Sequence, residues 1–445
     1  MNSEAATQAI FGLSAAWVAS ILFVAVYALI ITEKLNRAIL ALLGAGLMII
    51  GGVLNQEAAL HGIDFNTIGL LLGMMVIVAI TGRSGVFQYV AIWSAKKVNA
   101  HPMGVLAMLS IVTAVISAFL DNVTTVLLIV PVTLVITEAL NVRPYPYLIS
   151  EIVFSNIGGT ATLIGDPPNI MIGSAIGLTF NDFVWNLSPV IIVVMAATLV
   201  PIYFVYRREL VATPAARRHV MEFNESEAIK DPRLLKQALG VVGAVIVCFV
   251  LARFIHLEPA TIAMFGAAVL LFLDNYKRNA EDQAKAVHHA FSEAEWVTLI
   301  FFLGLFILVH GLDASGVISA MAKKLLAVTG GNRNVTTLSI LWGSAILSAF
   351  IDNIPFVATM IPLIKSMAPT FGGAQALMPM WWALSLGACL GGNGTLIGAS
   401  ANLVVAGMAE RAGHPIRFIP YMKSCFLLMI LSVAICHIYL LIRYL

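Results

Sequence analysis

Asp121-Asn122 and Asp352-Asn353 each set a carboxylate and an amide inside an apolar run. They lie in near copies of one segment, Ser-Ala-Phe-Leu-Asp-Asn (117–122) and Ser-Ala-Phe-Ile-Asp-Asn (348–353). A carboxylate in an apolar membrane segment is costly, and by default it marks an ion or proton pathway. A second polar set surrounds Gly158-Gly159 and Gly165-Asp166-Pro167-Pro168: Asn156, Thr160, Thr162 and Asn169. Its partner set is Asn393, Thr395, Ser400 and Asn402, around Gly391, Gly392, Gly394 and Gly398. Glycine permits non-helical backbone, and proline is tolerated at the first turn of a helix. Each stretch therefore reads as a helix, an unwound segment and a new helix. Unwound backbone at membrane depth offers carbonyls to cations and helix-start amides to anions or hydroxyls.

The expected solute ligands are the side chains of Asn122, Thr124, Asn156, Thr160, Thr162, Asn169, Asn353, Asn393, Thr395, Ser400 and Asn402. Asp166, Asp121 and Asp352 are the expected proton-linked groups, and Asp166 is the best single choice because its repeat partner is Ala399. Structural roles compete with these. Asp166 suits the N-cap of a helix opening at Pro167, with Ser400 its counterpart cap. Asp121 and Asp352 suit caps at the tips, and Asn169 and Asn402 suit helix-packing bonds. His310 and Glu151 are weaker proton-handling candidates and read first as bystanders.

These residues sit in a chain of 445 residues that is 60% hydrophobic and 11% charged, with mean hydropathy +0.95. Soluble domains carry about 25% charged residues. Long continuous apolar runs also exclude an alternating β-barrel pattern. The class expected is an all-α polytopic membrane protein. Its four cysteines (Cys248, Cys389, Cys425, Cys436) lie in apolar runs and read as core residues, with Cys389 the one close to a motif. The polar start lacks a basic region and a cleavage site, so no signal peptide is expected.

The halves align at a shift of 231 residues through the Asp-Asn pairs, Gly73 with Gly304, and Ser84-Gly85-Val86 with Ser315-Gly316-Val317. Beyond a two-residue slip, Thr162-Leu163-Ile164-Gly165 matches Thr395-Leu396-Ile397-Gly398. The expected architecture is two inverted repeats, with about ten spanning helices, two opposed re-entrant hairpins and two broken helices. Residues 1–206 form the first repeat, with hairpin 104–140 and broken helix 147–177. Residues 207–236 are a cytoplasmic linker. Residues 237–445 form the second repeat, with hairpin 335–368 and broken helix 378–411. The segment from Arg83 to Ala100 suits a membrane-surface helix. With the linker inside and the amino terminus outside, all but six of the 25 Lys and Arg residues fall on the cytoplasmic side of the membrane.

No Walker A loop, dinucleotide fingerprint or metal-spaced His/Cys cluster is present, so no cofactor, nucleic acid partner or enzymatic activity is expected. Any pumping must use an ion gradient or a separate ATPase subunit.

Ser-Ala-Phe-Leu-Asp-Asn-Val-Thr-Thr (117–125), Gly-Asp-Pro-Pro-Asn (165–169) and Gly-Gly-Asn-Gly-Thr-Leu-Ile-Gly-Ala-Ser-Ala-Asn (391–402) resemble the ion transporter superfamily. The resemblance is to its ArsB/NhaD branch of arsenite permeases, sodium/proton antiporters and P-protein-like permeases, and it covers nearly the whole chain. It implies an elevator-type carrier in the cell inner membrane, with a homodimer common in the wider superfamily. The function expected is proton-coupled efflux of arsenite or antimonite. Sodium/proton antiport and a dicarboxylate-type anion carrier are the alternatives.

Overall fold

The structure, a computed structural model, describes residue 9, residues 12–32 and residues 34–445. Among them the regular elements are helical. The first part of the chain forms α1 (Ala15–Ile31), α2 (Arg37–Ile50), α3 (Gln56–His61), α4 (Phe65–Gly82), α5 (Val86–Lys97), α6 (Pro102–Ser117), α7 (Asn122–Ala139), α8 (Tyr145–Gly159), α9 (Pro167–Ile176) and α10 (Phe180–Tyr206). The middle forms α11 (Pro214–Met221), α12 (Pro232–Ile255), α13 (Pro259–Asn275) and α14 (Ala280–Ser292). The remainder forms α15 (Trp296–Ala314), α16 (Val317–Val328), α17 (Arg333–Phe350), α18 (Asn353–Ser366), α19 (Ala368–Phe371), α20 (Met378–Gly391), α21 (Ser400–Arg411) and α22 (Phe418–Arg443).

Among the described residues six helices, α4, α7, α10, α12, α15 and α22, are long and apolar enough to cross a bilayer, and α1, α2, α6 and α13 are shorter apolar helices. Trp185, Phe254 and Ile442, on α10, α12 and α22, are 72%, 77% and 82% exposed. Such side chains face lipid rather than water. α7, expected as a hairpin arm, is itself as long as a span because Pro131 is accommodated inside it. Its counterpart α18 has only 14 residues.

Local sequence sets the breaks. α8 ends at Gly159 and α9 opens on Pro167, with 160–166 unwound between them. α20 ends at Gly391 and α21 opens at Ser400. Both glycine pairs permit close approach. A Cβ on Gly158 would lie 2.1 Å from the Ala114 carbonyl oxygen on α6, and one on Gly391 would lie 2.6 Å from that of Ala345 on α17. Each broken helix thus packs backbone to backbone against the first arm of a hairpin. Gly85 and Gly316, with φ of 85° and 80°, make the same left-handed turn after α4 and α15.

α2 packs on α15 and α4 packs on α13, so the two parts of the chain interlock. Gly304 meets the Ala41 backbone and Gly73 meets that of Ala263. The 207–236 segment is docked rather than loose. Lys96 on α5 donates to Glu225 at 2.5 Å and to the Phe223 carbonyl at 2.9 Å, while the Lys230 amide donates to the Ser84 carbonyl at 3.0 Å.

Candidate functional site

Both hairpin tips and both helix breaks meet at one cavity. It is lined by Asp121 and Asn122 from one tip, Asn353 and Ile354 from the other, Asp166 and Pro167 from the first break, and Ser400 from the second. Glu295 and Thr298 close it from the start of α15, and Leu71 and Met75 from α4. Its volume is about 20 Å³, which suits one water molecule. Any larger solute requires the tips to separate.

The tips resemble each other in backbone and differ in charge. Asp121 caps α7, accepting the Thr124 amide at 2.8 Å and the Thr124 hydroxyl at 2.5 Å. Asp352 caps α18 through the Ile354 amide at 3.0 Å. The repeat partner of Thr124 is Pro355, which has neither hydroxyl nor amide hydrogen. The second Asp352 oxygen is instead held by Arg37, at 3.0 Å, and by the Ser400 hydroxyl, also at 3.0 Å. Arg37 further donates to Ser400 at 2.5 Å and to Thr298 at 3.0 Å, and its guanidinium lies 5.2 Å from the Phe301 ring centroid. The motif residues themselves contain no base, so a site without basic side chains is expected from sequence. The start of α2 supplies one. Ser400 is the first residue of α21 rather than its cap, and Ala399 holds the cap position.

Asp166 occupies the N-cap position of α9, yet its side chain makes no capping bond. It is fully buried, and its hydrogen bonds come from the Asn353 amide at 3.3 and 3.5 Å. Among the described residues no cation pairs with it. Leaving an ionised carboxylate unpaired in such a place costs several kcal/mol. A proton or a bound cation relieves that cost. Glu295 was not among the residues expected from sequence. It accepts Thr298 at 3.0 Å, just as Asp64, 231 residues earlier, accepts Thr67 at 2.6 Å.

The remaining expected ligands form a satisfied network behind the cavity. Asn122 donates to Asn156 at 2.9 Å, and Asn156 donates to Asn393 at 2.9 Å and Asn402 at 3.0 Å. Asn169 donates to the Thr160 and Thr162 carbonyls at 3.1 and 2.8 Å, and Asn402 to those of Gly392 and Thr395 at 2.7 and 2.9 Å. These amides satisfy the carbonyls freed by unwinding, as buried backbone requires. The Thr162 and Thr395 hydroxyls donate to the Ala118 and Ala349 carbonyls, stitching each break to its tip. The Thr160 hydroxyl bonds back to the Asn156 carbonyl at 2.7 Å. Cys389 and Ser385 both reach the Asn169 oxygen. Asp121, Asn122, Asp166, Asn353 and Ser400 therefore line the cavity, while Asn156, Thr160, Thr162, Asn169, Asn393, Thr395 and Asn402 hold its walls.

A larger cavity of about 400 Å³ lies along α9 and α18, two of the helices that start at the central site. Ser174, Lys365, His310 and Asp313 line it. His310 is thus a vestibule residue and not part of the central set.

The family model described as CitMHS, citrate transporter, matches residues 27–387. The chain belongs to that family. Its members and this chain are membrane transporters, not enzymes. An uncharacterized transporter of Mycobacterium tuberculosis is 41% identical over 431 residues, 96% of this chain and 98% of that protein. The 46 kDa membrane protein of Mycobacterium leprae is 39% identical over 432 residues, 96% of this chain and 99% of that one. The P protein of Homo sapiens is 33% identical over 508 residues, 96% of this chain and 60% of that protein. The crystal structure of the Alcanivorax borkumensis YdaH transporter shares the fold, with a TM-score of 0.55 at 14% identity over 85% of this chain and 86% of that one. The P-protein side of the expected resemblance holds, and the family is described by citrate rather than arsenite transport.

Proposed function

We propose that this transporter is proton-coupled, with Asp166 as the group that binds and releases the proton. The observation that carries the reading is a fully buried carboxylate with no cationic partner, set where both tips and both breaks meet. Asp121 and Glu295 line the same cavity. Among the described residues, no three His, Cys, Asp or Glu side chains converge on a point that could hold a metal. Separate carboxylates that do not share one ion suit protons better than a chelated cation.

The solute reading follows from charge. Three carboxylates and no free base disfavour a bare polyanion. A neutral polyhydroxyl acid such as arsenous or antimonous acid suits the Asn122 and Asn353 amides and the Ser400 hydroxyl, so efflux of such an acid in exchange for protons is the first reading. The second is citrate moving as a complex with a divalent cation. The family's description supplies citrate, the cavity's carboxylates are the reason for a bound cation, and Arg37, one hydrogen bond behind Ser400, offers its charge to an anion when the Asp352 pair opens.

The proposed frame is two inverted repeats, 1–206 and 237–445, with the 207–236 segment cytoplasmic, the amino terminus outside and the cell inner membrane as the site. Matched caps, matched left-handed glycines and matched stitching bonds support it. We include a homodimer working without an ATPase subunit. The test uses the purified chain in liposomes with an internal pH dye, challenged with arsenite, antimonite, sodium, citrate, and citrate with magnesium. A proton flux that depends on one solute and vanishes in Asp166→Asn supports the proposal. Solute flux indifferent to the proton gradient defeats it, and a response to sodium alone replaces it with sodium/proton antiport.

A further inference from the structure

A second buried carboxylate lies away from the central cavity. Glu151, on α8, is 1% exposed. The Thr133 hydroxyl on α7 donates to its Oε1 at 2.5 Å, and its Oε2 has no partner. An unpaired, unsatisfied carboxylate in an apolar helix bundle is a costly feature, and structure alone does not call for it. A glutamine would keep the Thr133 bond and remove the charge.

Among the described residues none supplies a compensating cation. α8 packs against α6, α7, α10, α20, α21 and α22. α6 has no titratable side chain; α7 brings Glu138, α10 brings Asp182, Tyr203 and Tyr206, α20 brings Cys389, α21 brings Glu410 and Arg411, and α22 brings Tyr421, Lys423, Cys425, Cys436, His437, Tyr439 and Arg443. None forms an ion pair or hydrogen bond with Glu151. Hydroxyls lead outward instead. Thr137 lies one turn beyond Thr133 on α7, about 6 Å along the axis. Thr137 lines an open cavity of about 450 Å³ together with Glu138, Asn141, Arg143 and His414. Arg143 pairs with Glu209, so this cavity is on the face that carries the 207–236 segment. Inward, Asn156 of the central network lies on the same helix, five residues and about 7.5 Å on.

We propose that Glu151 is a second proton-carrying group of this transporter, standing between the Thr137 cavity and the Asn156 network. The step is the addition of one proton to the Glu151 carboxylate, taking its charge from −1 to zero, and the loss of that proton again. The neutral acid suits the dry α7–α8 packing. The ionised form suits a conformation in which the Thr137 cavity reaches Thr133. The assignment rests on the proton-coupled reading for its purpose, but not for its detection.

The test is infrared pH-difference spectroscopy of the full chain in liposomes, reading the C=O stretch of protonated carboxyl groups. A titrating band lost in Glu151→Gln and retained in Asp166→Asn is the expected result. Thr133→Val should shift that band, because the hydrogen bond to Oε1 is gone, and Glu151→Asp should keep a band at a moved position. If Glu151→Gln leaves every titrating carboxyl band in place, the proposal is overturned. If Glu151→Gln does not fold, an unshifted spectrum in Thr133→Val overturns it equally. Arsenite and citrate fluxes measured in the same liposomes separate the two readings: a Glu151 band with gradient-indifferent flux ends the coupling proposal and leaves the proton site standing.

Discussion

Arg37 and Asp352 are 315 residues apart in sequence and meet at 3.0 Å, with side chains 22% and 14% exposed. Breaking a buried ion pair by removing one partner costs about 3–5 kcal/mol, because the other charge is stranded. Partial exposure reduces this, so Arg37→Met should cost about 2–3 kcal/mol. Asp352→Asn should cost less, since Arg37 keeps Ser400 and Thr298 as acceptors. In the double variant neither charge is stranded, and the coupling between the two changes should be about 2 kcal/mol, roughly 30-fold in an equilibrium constant. Reversible denaturant unfolding in mixed micelles measures the four corners of the cycle. Asp121→Asn combined with Arg37→Met is the control, because Asp121 is held by Thr124 and not by Arg37. Additivity within about 0.5 kcal/mol for the Arg37–Asp352 pair would refute the reasoning, as would equal coupling in the control.

Gly158→Ala should abolish a monodisperse folded product, because its Cβ would sit 2.1 Å from the Ala114 carbonyl oxygen, which is backbone and cannot step aside. Gly343→Ala, with nothing within 4 Å of the added atom, should instead stabilise α17 by about 0.5–1 kcal/mol, and size-exclusion profiles after heating compare the two. Asn169→Ala and Asn402→Ala should each cost about 2–4 kcal/mol, because each frees two buried carbonyls; a cost below about 1 kcal/mol in the same unfolding assay would show the breaks to be satisfied in another way. The hydrogen bond from Lys96 holds the Glu225 carboxylate below its ordinary range, so this contact is present above that range and is lost as pH falls through the lowered value. Limited proteolysis within 207–236 should therefore quicken on acidification, and Lys96→Met should bring the fast rate to neutral pH.

The breaks were legible because backbone chemistry alone dictates them. Gly158-Gly159 and Pro167-Pro168 bound the first unwound segment, and Gly391-Gly392 with Ser400 bound the second, within two residues of the expected limits. The tips were legible in part, since Asp is a favoured N-cap, and the capping role weighed for Asp121 and Asp352 beside the proton-linked one is the one their Thr124 and Ile354 amide bonds show. The 207–236 segment reads as a plain charged linker until Lys96 and Ser84 are seen to anchor it. Arg37 and Glu295 were not legible. Both sit at helix starts beside polar loops, where charge is ordinarily solvated, and both are drawn inward by partners distant in sequence, Arg37 by Asp352, 315 residues away, and Glu295 by the cavity it shares with Asp121 and Asp166. One signal was present. Aligning the halves places Pro355 against Thr124, which removes a donor from Asp352 and calls for a replacement.

The departures from repeat symmetry fall on charged or hydrogen-bonding positions. Asp166 faces Ala399, Thr124 faces Pro355, Ser400 faces Pro167, and Arg37, the first residue of α2, stands where the second half has Pro259, the first residue of α13. The shared residues, Ser117 and Ser348, Thr162 and Thr395, Asn169 and Asn402, make the same bonds in both halves and hold the same backbone shape. In the proposed inverted-repeat frame the shared residues alone would give no preference for either face. What biases it must lie in the unshared residues, which place an uncompensated carboxylate on one break and a paired one on the opposite tip. In the proposed coupling, protonating Asp166 would remove its charge from beside Asp121 and Glu295 in a cavity of about 20 Å³. On that proposal, proton binding at this one position would favour closed tips and its release open ones, which is the differential interaction that coupling requires.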